Sequence, residues 1–242
     1  VVAGKSTVPV GTAKMLRDSM SSIAGFDVHL AWNPEFLREG TALEDSLRPD
    51  RLVVGSWDEY SVEKLKEVYK PILDLGTPFL ALDVPTAELV KVAANAFLAT
   101  KISFINAMAE VAEVSGADAV SLAKAIGYDE RIGNKFLRTG IGFGGGCLPK
   151  DIRGFVARAQ ELGVGSAVEF LKDVDAVNLR RRDRVVALAT QELGSLSGKA
   201  ITMLGISFKP DSDDLRDSPA LEISQRLTAL GAKVTVHDPV SL

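Results

Sequence analysis

The 242-residue sequence predicts an α/β protein: part of a mostly parallel sheet, a central helical region with one long helix, and the start of a second βαβ unit. From Val1 to about Pro85, short apolar runs alternate with helical patterns, as in parallel strands joined by helices. At Thr86 the pattern turns helical and stays so to about residue 194. From Lys199 a strand, a helix and a strand return. The expected division is therefore 1–85, 86–194 and 195–242.

"VVAGKSTVPVG" reads as a strand end entering a loop, and Thr12–Ser22 as the helix after it. "DVHLAWN", "DRLVVGS" and "TPFLALD" read as strands, and Asp58–Tyr69 as a helix. "TAELVKVAANAFLATKISFINAMAEVAEVSG" reads as one helix with Thr86 as its N-cap and Gly116 as its stop. Next come a helix over Asp118–Ile126 closed by Gly127, one that begins at Pro149 and stops near Gly163, and one over Ser166–Leu193. "AITMLGISF" reads as a buried strand, "PALEISQRLTAL" as an amphipathic helix ended by Gly231, and "KVTVHD" as the last strand. The chain starts without Met inside one α/β unit and stops after a strand of another, so it is expected to be a piece of a longer protein.

Composition narrows the function. A formal net charge of -4 gives no support for a nucleic-acid or anionic-membrane partner. A single cysteine excludes an internal disulfide and fits a reducing compartment. No uninterrupted apolar run of membrane-span length and no signal peptide are read, so a cytoplasmic location is expected.

The single cysteine lies in "GFGGGCLPKD". A lone cysteine is more often a small buried apolar residue than a nucleophile. Here Gly144, Gly145 and Gly146 leave room for another molecule to approach the backbone. A helix starting at Pro149 would set Cys147 ahead of unpaired N–H groups, with Lys150 as a nearby cation, and both favour thiolate. Asp151, in the first turn, can hold a water or complement the dipole. The competing reading is a glycine turn before a capped helix.

Other candidates are weaker alone. Lys91 and Asn95, four apart on an apolar helix, can grip a substrate hydroxyl; a snorkelling lysine beside a solvated amide is the alternative. Glu35 and Glu39 in "WNPEFLREG" fall at the carboxyl end of a strand, where α/β sheets bind ligands, or belong to a solvated turn. "GKSTVPVGT" is not a phosphate-loop motif, but Ser6 and Thr7 offer hydroxyls there. Arg131, Lys135 and Arg138 converge toward the glycine loop, as an anionic ligand such as a diphosphate would require, or as solvated charge. Lys209 and Arg216 lie in the turn after a strand. His29 and His237 have no partner pattern, which removes a histidine triad and a histidine metal site. A thiol without a histidine base suits capture of an aldehyde.

"KSTVPVGT", "NPEFLREGTALEDSLRPDRLVVG", "ELVKVAANAFLATKISFINAMAE", "RIGNKFLRTGIGFGGGCLPKD" and "LGISFKPDSDDLRDSPA", in this order, resemble the UDP-glucose/GDP-mannose dehydrogenase family across essentially the whole chain. "NPEFLREG" and "RIGNKFL" look most like its UDP-glucose branch. The resemblance implies Rossmann-like outer domains, a homodimer through the central helices, and two successive NAD-dependent oxidations of a nucleotide sugar, from alcohol to aldehyde to acid. The sugar would be UDP-glucose; GDP-mannose and UDP-N-acetylhexosamines are the alternatives, as is a dimerising module without catalysis. By the same resemblance Cys147 would form a thiohemiacetal and then a thioester. Lys91, Asn95 and Asp151 would hold the reacting oxygen and a water, Glu35 would be the base for hydrolysis, and Thr7 would place water. Phe36, Leu37, Arg138, Phe143, Gly144, Phe208 and Lys209 would contact the nucleotide sugar, with Arg131 reaching in from the other subunit. Ser6, Glu39, Lys150 and Arg216 would contact NAD. The family's G-x-G-x-x-G is not in this sequence, and Gly146 stands where many relatives carry serine. This 242-residue chain is therefore expected to be inactive alone.

Overall fold

A computed structural model describes residues 1–241, in which the chain forms two compact units, Val1–Ala94 and the described residues from Asn95 on. The first contains β1 (Val2–Gly4), α1 (Thr12–Ala24), β2 (Leu30–Trp32), α2 (Ala42–Leu47), β3 (Leu52–Ser56), α3 (Glu59–Leu73) and β4 (Phe79–Leu82). Its strands lie in the order β1-β2-β3-β4, with β1 parallel to β2 and β3 parallel to β4. The central β2–β3 pairing is antiparallel, so the sheet is mostly, not wholly, parallel. The short α2 was not expected.

Leu30, Trp32, Ala13 and Val84 form one face of the core, and Ala31, Val54 and Leu65 the other. Successive strand residues point to opposite faces, which is why adjacent residues 30, 31 and 32 serve two clusters. Gly4 is fixed by its neighbour: a Cβ there would lie 2.0 Å from the Trp32 ring.

The long helix α4 spans Val84–Ser115. Thr86 is not its cap. Asp83 is, accepting the Thr86 N–H at 2.8 Å and the Thr86 hydroxyl at 2.7 Å, bonds that hold its carboxyl below the usual range. Pro85, lacking an N–H, costs nothing in this first turn. By length and composition alone α4 passes as a membrane-span candidate, with a window of mean hydropathy 1.3, although Glu88, Lys91 and Lys101 interrupt its apolar sequence. Within the protein 44% of that window is buried.

The second unit continues with α5 (Ala119–Gly127), capped by Asp118, and α6 (Leu148–Glu161). A 3-10 turn over Gly165–Val168 then precedes α7 (Phe170–Leu193), so the helix expected from Ser166 begins four residues later. β5 (Ala200–Leu204), α8 (Pro219–Ala229) and β6 (Lys233–His237) complete it, with β5 and β6 parallel. β5 alternates between exposed and half-buried residues and is not the buried strand the sequence suggested. Ala96, Ala99, Phe143, Ile152, Val156, Leu171 and Val174 form the helical core, and Leu196, Ile223, Leu227 and Ala232 a second cluster beside β5 and β6.

Candidate active site

In the first unit the site residues follow the carboxyl ends of parallel β1 and β2. Ser6 is exposed and Thr7 half-buried in the loop after β1. Glu35 and Phe36 are half-buried in the loop after β2, where Leu37 is exposed and Glu39 half-buried. The Glu35 carboxylate accepts the Leu37 N–H at 2.5 Å, and the Glu35 N–H donates to the Lys5 carbonyl at 3.3 Å, tying the two loops together. Lys91 is only 6% exposed, and its Nζ lies 5.4 Å from the centre of the Phe36 ring. It makes no hydrogen bond or ion pair among the described residues. A buried ammonium with only a ring for company has donors to spare for a ligand oxygen.

Several residues that sequence reasoning missed hold this half in place. Buried Asn33 donates to the Val53 carbonyl at 2.7 Å, while its Oδ1 accepts from Lys5 at 2.8 Å and from Tyr69 at 2.5 Å. Asp45 grips the Glu35–Glu39 loop from α2. It accepts the Arg38 N–H at 2.8 Å, the Thr41 hydroxyl at 3.1 Å and a guanidinium fork from Arg38. That Arg38 fork is the main reason the Asp45 carboxyl is lowered to about 2. Glu88 reaches from α4 to the start of α1, accepting the N–H groups of Gly11 at 2.8 Å and Ala13 at 2.7 Å. The signal for Glu88 was a carboxylate on an otherwise apolar helix face.

In the second unit Cys147 is exposed and is the N-cap residue of α6. Its carbonyl accepts the Asp151 N–H at 2.9 Å, but its side chain caps nothing. Asp151, one turn on, is buried and accepts Asn95 Nδ2–H at 2.6 Å, with the Lys150 ammonium 3.1 Å from its other oxygen. The Asn95–Asp151 contact is a direct bond between α4 and α6.

The glycine loop has a different explanation from the one its sequence suggested. The space beside each glycine is filled by the protein's own chain. A Cβ would lie 2.2 Å from the Asp217 carbonyl oxygen at Gly144, 2.7 Å from the Phe208 ring at Gly145, and 2.5 Å from the Arg216 guanidinium at Gly146. Phe208 and Lys209 are half-buried, with Lys209 Nζ 5.5 Å from the Phe208 ring centre. Asp238, at the end of β6, accepts the Ile206 N–H at 2.8 Å and the Val240 N–H at 3.0 Å. These bonds fix the turn carrying Phe208 and hold the Asp238 carboxyl far below its usual range. Phe143 is buried among the helices, so its ring serves the core.

Arg131 is exposed and folds back on Asp129 at 2.6 Å, which holds the Asp129 carboxyl low. Arg138 is exposed and makes no ion pair among the described residues. Arg216 pairs with Asp214 at 2.7 Å. Lys150 and Arg216, both largely exposed and flanking Cys147 in sequence and at Gly146, have the chemistry a cofactor diphosphate requires.

Three domain profiles of one family match in order: the NAD binding domain over residues 1–73, the central domain over 85–180 and the UDP binding domain over 202–241. The chain belongs to the UDP-glucose/GDP-mannose dehydrogenase family. UDP-glucose 6-dehydrogenase YwqF of Bacillus subtilis is 42% identical over all of this chain and 54% of its own length. The UDP-glucose 6-dehydrogenase of Rhizobium meliloti is 43% identical over 99% of this chain and 55% of its own. A UDP-glucose dehydrogenase structure from Pyrobaculum islandicum superposes with a TM-score of 0.93 at 42% identity, covering 99% of this chain and 55% of that one. The chain thus spans about half the length of the curated relatives it matches.

Proposed function

We propose that this chain supplies the catalytic centre of an NAD-dependent enzyme that oxidises UDP-glucose to UDP-glucuronate in the cytoplasm, in two steps at one carbon. The observation that carries the reading is an exposed Cys147 at the head of α6, one turn from the buried Asn95–Asp151 pair, in a chain built of this family's domains. Bound NAD supplies the hydride acceptor for both oxidations. Lys91 and Asn95 hold the sugar's reacting oxygen and stabilise its negative charge as the hydroxyl proton leaves. The Cys147 thiolate then adds to the aldehyde carbon, giving a thiohemiacetal, and the second hydride loss leaves a thioester. Water then adds to the thioester and gives up its proton, the base role that the family resemblance assigns to Glu35 with Thr7 placing the water; the C–S bond breaks, and thiolate and acid are released. The balance is one UDP-glucose, two NAD+ and one water to one acid, two NADH and two protons, with a third proton lost when the acid ionises.

By the family resemblance Phe36 and Leu37 of the first unit, and Arg138, Phe208 and Lys209 of the second, are assigned to the nucleotide sugar, with Arg131 supplied by a second subunit. The same resemblance assigns Ser6 and Glu39 of the first unit, and Lys150 and Arg216 of the second, to NAD. Phe97, Phe104 and Val111, spaced seven apart and exposed along α4, support dimerisation through the central helices. The division of labour is NAD binding over 1–85, catalysis and dimerisation over 86–194, and UDP-sugar binding from 195.

The test is product stoichiometry in the full-length protein carrying this sequence. Two NADH per UDP-glucose are expected, and Cys147→Ala is expected to abolish acid formation. Normal UDP-glucuronate production by that variant would reject the mechanism.

A further inference from the structure

Asn178 and Arg182 lie one turn apart on α7 and are 0% and 1% exposed. Asn178 Oδ1 accepts the Phe143 N–H at 2.6 Å, and its Nδ2–H donates to the Phe143 carbonyl at 3.0 Å. The side-chain amide therefore satisfies both polar groups of one loop residue, as a neighbouring strand would. Arg182 Nη2 donates to the same carbonyl at 3.4 Å, to the Asp217 carbonyl at 3.4 Å and to the Asp217 carboxylate at 2.8 Å. Its Nη1 pairs with Glu222 on α8.

We propose that Asn178 and Arg182 are positioning residues for catalysis, clamping the 142–147 loop against the 206–217 turn so that the Cys147 thiol is held at a fixed place. Neither side chain touches the sulfur. A loop with glycine at 142, 144, 145 and 146 has no intrinsic stiffness, yet thiol attack on a carbonyl tolerates little misplacement. Something must hold it, and the clamp closes on both sides. Gly142 lies so close to Asn178 that a Cβ would sit 2.5 Å from Oδ1, and the Gly145 N–H donates to the Arg216 carbonyl at 2.9 Å. Arg182 Nε is buried without a hydrogen bond. Burying a cation with one donor unmet is a poor way to gain stability alone. A role in fixing the loop gives that arrangement a purpose.

The inference rests on the proposed activity for its purpose, but its geometry can be tested apart from it. Amide hydrogen exchange on the 242-residue chain is the first readout. Asn178→Ala should speed exchange over residues 140–147 at least about tenfold while α4 and α8 stay within about twofold; Arg182→Lys, which keeps the charge but loses the fork, should give a smaller rise at the same place. In the full-length enzyme Asn178→Ala should lower kcat at least about tenfold with KM for NAD nearly unchanged, and Asn178→Asp, which keeps the acceptor for Phe143 N–H, should recover part of it. If Asn178→Ala does not fold, Asn178→Asp is judged by the same exchange pattern. Unchanged exchange in the loop, an equal rise across α4 and α8, or a raised KM with kcat intact would each overturn the proposal. Failure of the parent enzyme to oxidise UDP-glucose would defeat the activity while leaving the exchange result to judge the clamp.

Discussion

The buried carboxylate of Asp151 is shared between an amide on α4 and the Lys150 ammonium. That placement lets it orient Asn95, and in the mechanism implied by the family resemblance it also holds water for the reaction. Asp151→Asn keeps the shape but removes the charge. Acid formation should fall about 100-fold, within the range for a positioned acid or base, while alkylation of Cys147 proceeds. Asp45 makes a different prediction. Its folded pKa, about 2, lies below the usual carboxylate value near 4. Its stabilising contribution is therefore complete above about pH 4 and is lost as pH falls through about 2. Asp45→Asn should lower the melting temperature at pH 6, and the gap from the parent should close between pH 4 and 2. A gap that persists at pH 2 would show that the Arg38 pairing is not its source.

At the scale of the element, α1 starts at Gly11 without a capping side chain of its own. Glu88 supplies the missing acceptors from another helix, where its charge also meets the positive end of the α1 dipole. Glu88→Gln should cost about 1–2 kcal/mol in denaturant melts, and fraying should be confined to the start of α1. Caps made by near neighbours could be read from the sequence: Asp118 before α5 and the proline-led start of α6 both follow local rules. Caps made at a distance could not, because nothing near residue 11 announces residue 88. The start of α4 failed for a smaller reason. Thr86 and Asp83 are both good caps, and only the backbone shows that Asp83 receives the bonds. The glycine loop was located correctly and explained wrongly. Glycine signals a close approach, but not whether ligand or protein makes it.

For the whole molecule, the alternation of strands and helices was legible because hydrophobic period reports it directly. The antiparallel β2–β3 pairing was not, since strand direction in a sheet leaves no mark on period. Cys147 and Lys91 stand out in the sequence by type and surroundings, whereas the roles given to Asn95 and Asp151 came from the family resemblance. The partners of Asn33, Asp45, Asn178 and Arg182 emerge only from tertiary contacts, and the apolar face around Glu88 marked that carboxylate without naming its partner. The exposed apolar row on α4 predicts association: Phe104→Glu should convert a dimer to a monomer by light scattering, and an unchanged mass would place the interface elsewhere. The most direct test of the chemistry is rapid-quench mass spectrometry of the full-length protein turning over UDP-glucose with NAD. The peptide containing Cys147 should carry the sugar nucleotide as a transient covalent adduct that forms and decays in step with acid release. Steady acid production with that thiol never modified would contradict the account.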